Sequence, residues 1–432
     1  MNKKKSIFRI VENLFANETK KTLLENFILL SFLQFINYIF PLITFPYLVR
    51  VLGVEKYGLI AFAQAFVNYF QILTDYGFTF IAPREVSINR ENKEKLSKIL
   101  SAITIIRFFL FLISFFLMSI IVFLFDKFRK DWLIYYITFS GIIGQILFPI
   151  WFFQGIEKMK YITFISILTK LIFVVAIFIF VKKTSDYLYV PLLSSLVSIL
   201  SGILASWIIF RNFRIFLKIP SFENIKHFLE KGWPVFVSSI FITGYTNSRI
   251  FAIGLFSSNN AITGYYAIAE RLMALVQSFP FSSILQTLYP RLSKIHAENK
   301  LKAKSMIDKF QRYTTIAYLI ICTVFFIIAP KFVEIVVGSY YKETVLAFRL
   351  LLIAVLFINA NAFRINFFLI SGNEDIFTKI HIIIGTVGLI MVFLFSYFLS
   401  YKGAAISIIL ISLIVLIQTI KEDKKIWKKC TN

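Results

Sequence analysis

Apolar runs of about 20 residues recur along this chain from residue 24 to residue 420, and they constrain its fold more than any other feature. An α-helix rises about 1.5 Å per residue, so each run matches the hydrocarbon thickness of a bilayer. Phe108 to Phe125 and Ala404 to Ile417 are apolar on nearly every face, unlike the alternating strands of a membrane barrel. Only 16% of the residues are charged, against about a quarter in soluble domains. The sequence therefore predicts an all-α polytopic membrane protein.

Twelve membrane-spanning helices are predicted from these runs. Their ranges are 24–49, 57–81, 98–125, 132–153, 160–181, 187–210, 232–256, 261–290, 313–337, 344–370, 376–400 and 403–420. A charged segment predicts a division into an N-terminal six-helix bundle over residues 1–210, a cytoplasmic linker over 211–231 and a C-terminal bundle over 232–432. A weak repeat supports this division, because Tyr57-Gly58 and Gly264-Tyr265 lie near the start of the second helix of each half. Many secondary transporters are built from two such halves.

Lys and Arg residues fall unevenly on the two sides of the membrane. An even number of spans puts both termini on one side, where the segments carry 31 basic residues, against 10 in the opposite loops. The positive-inside rule therefore places both termini in the cytoplasm. This topology and attraction to anionic membrane lipid account for the net charge of +24, so we expect no nucleic-acid partner.

Six basic residues remain inside the predicted spans. A basic side chain at the centre of a spanning helix costs about 2.5–3.5 kcal/mol, unless it faces a wet interior or a partner. Arg349 and Arg364 lie nearer helix ends, where such a side chain could instead reach the headgroups. We predict a pathway for an anionic substrate that binds to Arg107, Lys170, Arg249, Arg271 and Arg364.

Polar side chains follow one face of the second helix and one face of the eighth. The spacing i, i+4, i+7, i+11 keeps the four groups of the second helix within about 60° of one another. The predicted cavity-lining residues are Gln64, Asn68, Gln71 and Asp75 on the second helix, Thr263, Tyr266, Glu270 and Gln277 on the eighth, and Tyr245 on the seventh. Such groups could instead bond helix to helix. Their matching placement in both halves favours a cavity.

Asp75 and Glu270 are the only carboxylates well inside the predicted spans. Either could titrate and so couple transport to protons, or hold sodium. The alternative is a structural salt bridge between each carboxylate and a neighbouring arginine.

Several chemical signatures are missing from the sequence. It contains no GxxxxGK[ST] phosphate loop, no HExxH metal motif and no GxSxG elbow, and its three histidines and two cysteines are scattered. We therefore expect no nucleotide, no metal or other cofactor, and no enzyme activity.

Several short stretches resemble the O-antigen and polysaccharide repeat-unit flippases. They are Pro46-Tyr47-Leu48-Val49-Arg50-Val51-Leu52-Gly53, Tyr57-Gly58, Asp75-Tyr76-Gly77-Phe78 and Pro149-Ile150-Trp151-Phe152-Phe153-Gln154-Gly155. The resemblance implies a fold like that of the multidrug and toxin extruders (MATE), with a central cavity lined by the first, second, seventh and eighth helices. It also implies a bacterial cytoplasmic membrane protein whose cargo is a polyprenyl-diphosphate-linked oligosaccharide. A polysaccharide polymerase and other assembly proteins are further implied partners.

Three other functions stay open. A drug or cation antiporter of the same fold is expected to have an acidic cavity, whereas the cavity predicted for this chain is basic. The lipid-linked peptidoglycan-precursor flippases usually carry two further helices. A membrane-embedded polymerase or acyltransferase would want a long outer loop, and the longest predicted outer segment, Arg50 to Lys56, is short. The sequence therefore favours a flippase for repeat units.

Overall fold

The computed structural model describes residues 18–278, 292, 295, 296, 298–371 and 373–431. Within these ranges the chain is almost entirely helical and contains no strand. The helices are α1 (Glu18–Asp75), α2 (Phe78–Ile88), α3 (Lys93–Leu124), α4 (Asp126–Arg129), α5 (Trp132–Leu147), α6 (Ile150–Gly155), α7 (Met159–Phe180), α8 (Tyr189–Ile208), α9 (Phe222–Phe256), α10 (Asn260–Ser278), α11 (Lys300–Val337), α12 (Lys342–Asn359), α13 (Ala362–Ile370) and α14 (Glu374–Thr431). The predicted all-α class is confirmed.

Each of the twelve predicted spans lies mainly on helix in the residues that the structure describes. The first two spans both belong to α1, which is interrupted at Gly53 with φ 75°, and the last two belong to α14, which is interrupted at Ser400 with φ 54°. In the described residues, six helical segments are long and apolar enough to cross a membrane, with α5 and α6 counted together as one of them, or seven if the bent pair α12 and α13 counts as one span. The predicted span 261–290 continues beyond Ser278 into residues outside the described ranges.

The span predicted over 57–81 passes from α1 into α2, and two other predicted spans are also broken rather than continuous. The span predicted over 132–153 divides into α5 and α6 around Phe148 and Pro149, because proline has no N–H with which to continue the helix. The span predicted over 344–370 divides into α12 and α13, which meet at an angle of 43°. This second break has no proline.

The chain folds as two compact units. One consists of Val67–Val237 together with the chain before Pro46, and the other of Pro46–Phe66 together with Ser238–Asn432. Because α1 runs through both groups of residues, its middle section belongs to the second unit. The predicted bundle limits, with a linker over 211–231, stay a prediction.

Helices α5 and α8 of the first unit approach each other backbone to backbone. A Cβ atom at Gly144 would lie 2.2 Å from the carbonyl carbon of Ser198, and one at Gly202 would lie 2.7 Å from the carbonyl oxygen of Gly144. The hydroxyls of Ser195, Ser198 and Ser206 donate hydrogen bonds of 2.7, 2.9 and 2.9 Å to carbonyl groups of α5. Small residues and hydroxyls are a usual means of packing helices in membranes, where the hydrophobic effect does not drive association.

A second close approach lies in the other unit, between the middle of α1 and α10. A Cβ atom at Gly58 would lie 2.1 Å from the Asn260 carbonyl oxygen, and one at Gly264 would lie 2.1 Å from the Val54 carbonyl oxygen. These glycines belong to the two copies of the weak sequence repeat. The repeated motif therefore marks a helix crossing at which each copy packs against the other.

We expect Gly144→Ala to weaken the first unit, because the new methyl group would overlap the backbone of α8. Overpacking of this kind costs about 1–3 kcal/mol. The matched control is Gly244→Ala, where the nearest atom to the new Cβ is a Leu389 side-chain carbon at an ordinary 3.4 Å. Thermal unfolding of the purified protein in detergent should show a lower midpoint for Gly144→Ala and little change for the control. Equal midpoints would contradict the close approach of α5 and α8.

Candidate transport site

The first unit contains a buried arginine that is paired with a carboxylate. The Arg107 side chain on α3 is 7% exposed, and its Nη2 lies 3.5 Å from Oδ1 of Asp75 at the end of α1. The same carboxylate oxygen accepts a 2.8 Å hydrogen bond from the Thr79 hydroxyl. Arg107 Nε has no hydrogen-bond partner among the residues that the structure describes. Asp75 thus compensates the positive charge of Arg107.

Lys170, in contrast, meets a neutral group. Its Nζ donates a hydrogen bond to the amide oxygen of Asn37, and both residues retain exposed surface. An amide oxygen accepts the bond but does not cancel the charge. The polar face predicted on the second helix is also accessible, since Gln64 is exposed while Asn68 and Gln71 are half-buried.

The second unit contains a buried pair of the same kind. Arg249 on α9 is 7% exposed, and both its Nε and its Nη2 donate to Oε1 of Glu270 on α10. The Nε contact measures 3.0 Å. The buried hydroxyl of Tyr266, on the same face of α10, also lies against the Arg249 guanidinium, and the Thr263 hydroxyl is buried without a hydrogen-bond partner in the described part of the chain. Of the two roles predicted for Glu270, ion coupling or a salt bridge to an arginine, this geometry favours the salt bridge.

The remaining basic residues of the spans differ in their surroundings. Arg271 is exposed and lies against the hydroxyl of Tyr57, and no carboxylate among the described residues forms an ion pair with it. Arg364 has its Nε 3.9 Å from Oδ1 of Asp308, at a position that is 26% exposed. Arg349 donates a 3.0 Å bond from Nε to the Phe326 carbonyl oxygen and lies over the Phe326 ring.

A cavity of about 470 Å³ lies inside the second unit, between α9, α10, α12, α13 and the C-terminal part of α14. Two predicted site residues, Arg249 and Gln277, line it. The Tyr245 side chain lies outside the part that the structure describes. Residues that the sequence reasoning missed also line the cavity, and they are Asn247, Asn361, Asn366 and Ser412.

The break between α12 and α13 forms part of this cavity wall. Gln311 of α11 donates a 2.8 Å bond to the Asn359 carbonyl oxygen and accepts a 2.9 Å bond from the Phe363 N–H. It therefore satisfies backbone groups that the helix break would otherwise leave without partners. The sequence signal for this break is the closely spaced pair Asn359 and Asn361.

Within the described ranges, no group of three or more His, Cys, Asp or Glu side chains is placed so that it could hold a metal ion. The chemistry that the arrangement offers is charge and hydrogen bonding. Each unit has an accessible basic residue, Lys170 or Arg271, beside a neutral partner, and one buried arginine that is paired with a carboxylate.

Solved structures place the fold among membrane transporters. The chain is similar to "Lipid II flippase MurJ, inward closed conformation", with a TM-score of 0.73 and 16% identity, covering 92% of this chain and 87% of that one. It is also similar to an inward-facing multidrug resistance MATE family transporter of the MOP superfamily, with a TM-score of 0.65 and 15% identity, covering 90% and 96%. At this identity the likeness concerns the fold alone, and it confirms the predicted MATE-like fold.

Sequence comparison identifies the family. The chain belongs to the polysaccharide biosynthesis protein family (Polysacc_synt), whose model matches residues 23–296. A relative from Escherichia coli (strain K12) named "Putative O-antigen transporter" is 28% identical over 91% of this chain and 94% of its own length. A relative of the same name from Shigella dysenteriae is 26% identical over 93% of this chain and 100% of its own length.

If the Arg249–Glu270 pair is structural, removing one partner should cost more than replacing both. A buried charge that loses its partner typically costs about 3–5 kcal/mol, whereas an apolar replacement of the whole pair is often nearly neutral. We expect Glu270→Gln to lower the thermal midpoint of the purified protein, and Arg249→Met with Glu270→Gln to recover most of the loss.

Glu334→Gln is the matched control for this substitution. Glu334 pairs with Lys331 at 2.9 Å, but the two side chains are 47% and 70% exposed, so solvent screens the pair. The thermal midpoint of the Glu334→Gln variant should therefore hardly differ from that of the wild type. A double variant no more stable than Glu270→Gln would contradict the structural role.

Proposed function

We propose that this protein is a flippase that moves polyprenyl-diphosphate-linked oligosaccharide repeat units across the bacterial cytoplasmic membrane, for O-antigen, capsule or another surface polysaccharide. Family membership and the names of the two relatives support the cargo class. The single structural observation that supports it best is the unequal pairing of the basic residues in the spans. Lys170 meets a neutral amide, whereas Arg107 and Arg249 meet carboxylates.

The diphosphate is the part of this cargo that needs positive charge. We assign its principal contacts to Lys170 and Arg271, because their charges are accessible and their contacts are neutral groups. Both side chains can form charge-assisted hydrogen bonds with phosphate oxygens, and the planar guanidinium of Arg271 can bind two of them at once. Arg364, which lies near Asp308, is a weaker candidate.

The buried pairs can take part in coupling. When Asp75 or Glu270 binds a proton or a sodium ion, its arginine loses the compensating negative charge. Arg107 or Arg249 would then be available to an anion. In this proposal the coupling ion and the diphosphate compete through one salt bridge in each unit, and neither carboxylate needs to touch the cargo.

The remaining polar residues are proposed to contact the cargo or the water around it. They are Gln64, Asn68, Gln71, Tyr245, Tyr266 and Gln277. A drug or cation antiporter of the same fold is disfavoured by the accessible basic residues. We further propose that both termini lie in the cytoplasm, and that a polysaccharide polymerase and other assembly proteins act on the exported units.

Loss of the protein should stop surface polysaccharide while lipid-linked repeat units accumulate in the cytoplasmic leaflet. The chain offers a route across the membrane, so synthesis of the units should continue without it. Radiolabelled repeat units can be followed in a deletion strain. Their normal appearance outside, in a strain with no substitute flippase, would refute the proposed function.

Export should depend on the accessible charges. A hydrogen bond to a charged group contributes about 1.5–3 kcal/mol, so Lys170→Ala or Arg271→Ala should lower export about ten- to a hundredfold at unchanged protein level. Lys170→Arg and Arg271→Lys should retain part of the activity, because the charge survives. Arg349→Ala is the control, since Arg349 is bonded to the Phe326 backbone. Full export by the double alanine variant would overturn the assignment.

The proposed orientation can be checked by labelling with a membrane-impermeant thiol reagent. Asn259, between α9 and α10, and Asn299, before α11, are both exposed. A cysteine at position 259 should react from outside intact cells, and a cysteine at position 299 should react only after permeabilisation. The reverse pattern would place the termini outside.

A further inference from the structure

The cavity of the second unit is built mainly from neutral polar groups. Its polar lining residues are Asn247, Arg249, Gln277, Asn361, Asn366 and Ser412, and Arg249 is the one charged residue among the described lining residues. The charge of Arg249 is compensated by Glu270. While this salt bridge is intact, the cavity carries little net charge, and in that state it is a poor site for a diphosphate or for a bare cation.

The side-chain amide of Asn361 indicates that this cavity is a ligand site. The residue is 3% exposed, and its Nδ2 donates a 3.1 Å bond to the Thr419 hydroxyl, which fixes the amide in place. Its Oδ1 is buried and has no hydrogen-bond partner within the described part of the chain. Buried polar atoms are almost always hydrogen-bonded, so this oxygen lacks a donor that a ligand in the cavity could supply.

The helix break holds this amide in position. Asn361 lies between α12 and α13, and Gln311 binds both sides of the break through the Asn359 carbonyl and the Phe363 N–H. Irregular backbone at membrane depth is tolerated where it lines a cavity, and broken helices recur at the substrate sites of transporters. The amide is therefore presented by a fixed part of the backbone.

The rest of the lining defines the class of ligand. Carboxamide side chains donate and accept hydrogen bonds, as does the Ser412 hydroxyl, and hydroxyl groups of a ligand do the same. Phe357, Met273 and Ile411 add apolar surface. A ring with hydroxyls at its rim and C–H groups on its faces matches both kinds of lining. The volume of about 470 Å³ lies within the range of about 300–1,000 Å³ usual for small-molecule sites.

We propose that this cavity binds a sugar residue of the oligosaccharide, with Asn361 Oδ1 accepting a hydrogen bond from a sugar hydroxyl. The proposal rests on the proposed function and extends it, because it separates the sugar site from the diphosphate contacts at Lys170 and Arg271. Asn366 of α13 and Gln277 of α10, which also line the cavity, are the further groups that select the sugar.

Binding to the purified full-length protein in nanodiscs tests the two sites separately. One probe is the free oligosaccharide released by mild acid from the repeat units of the source strain, which lacks the diphosphate. The other is farnesyl diphosphate, which lacks the sugar. We expect Asn361→Leu and Asn366→Leu each to weaken oligosaccharide binding at least tenfold and to leave farnesyl diphosphate binding unchanged, whereas Lys170→Ala and Arg271→Ala do the reverse.

Asn359→Leu is the matched control, because Asn359 is a buried amide of the same break that does not line the cavity. It should bind both probes normally. Unchanged oligosaccharide binding in Asn361→Leu and Asn366→Leu, or no oligosaccharide binding by the wild type that binds farnesyl diphosphate, would overturn the sugar site alone. Thermal stabilisation by sodium chloride that is lost only in Asn361→Leu would also overturn it, in favour of a cation. Failure to bind farnesyl diphosphate would count against the proposed function instead.

Discussion

A charged side chain in the hydrocarbon core of a membrane is costly unless a partner or water compensates it, and this constraint organises both units of the protein. Arg107 is compensated by Asp75 within the first unit, and Arg249 by Glu270 within the second. Each pair joins two helices that are adjacent in the sequence of spans. Because breaking such a pair leaves one charge buried alone, the pairs hold the helices in one register. The charges of Lys170 and Arg271 are exceptions, since their contacts are neutral groups.

The backbone is under the same constraint, because its N–H and C=O groups must also have hydrogen-bond partners at membrane depth. Where α5 gives way to α6, the Ser206 hydroxyl donates to the Leu147 carbonyl. Where α12 gives way to α13, Gln311 performs this role on both sides. Where α11 ends, Arg50 donates bonds of 2.7 and 3.1 Å to its last carbonyl groups. A side chain from a neighbouring helix therefore stabilises the backbone at each of these three places.

The residues of the family motifs have structural roles at such helix ends and contacts. Arg50 binds the end of α11, and Gly53 supplies the positive φ at the interruption of α1. Gly77 also has a positive φ, and a Cβ atom there would lie 2.8 Å from the Val235 side chain. A Cβ atom at Gly155 would lie 2.5 Å from Val86. The residues of the family motifs thus lie at helix ends and close helix contacts. The resemblance therefore identifies the family but does not locate the transport site.

The sequence predicted the helices well because each apolar run carries its own signal of length and composition. It could not predict which charges are paired, since the meeting of Arg107 with Asp75 depends on how two helices pack. It also missed the break between α12 and α13, because the run 344–370 has no proline and the decisive partner, Gln311, lies on another helix. Asn361 was missed for the same reason. Polar residues in a span become informative only when their hydrogen-bond partners are known.

A flippase for lipid-linked sugars has two recognition tasks, and the two kinds of polar group in this protein suit them differently. The diphosphate is common to all such cargo, and charge recognises it without regard to the attached sugar. The sugars differ in the placement of hydroxyls, which only directional groups can distinguish. A carboxamide costs less to bury than a charge, and its orientation is fixed when one end is bonded within the protein, as Asn361 is bonded to Thr419. Under the proposed function, changes of amide residues around the cavity would alter sugar preference without disturbing the salt bridges on which the fold depends.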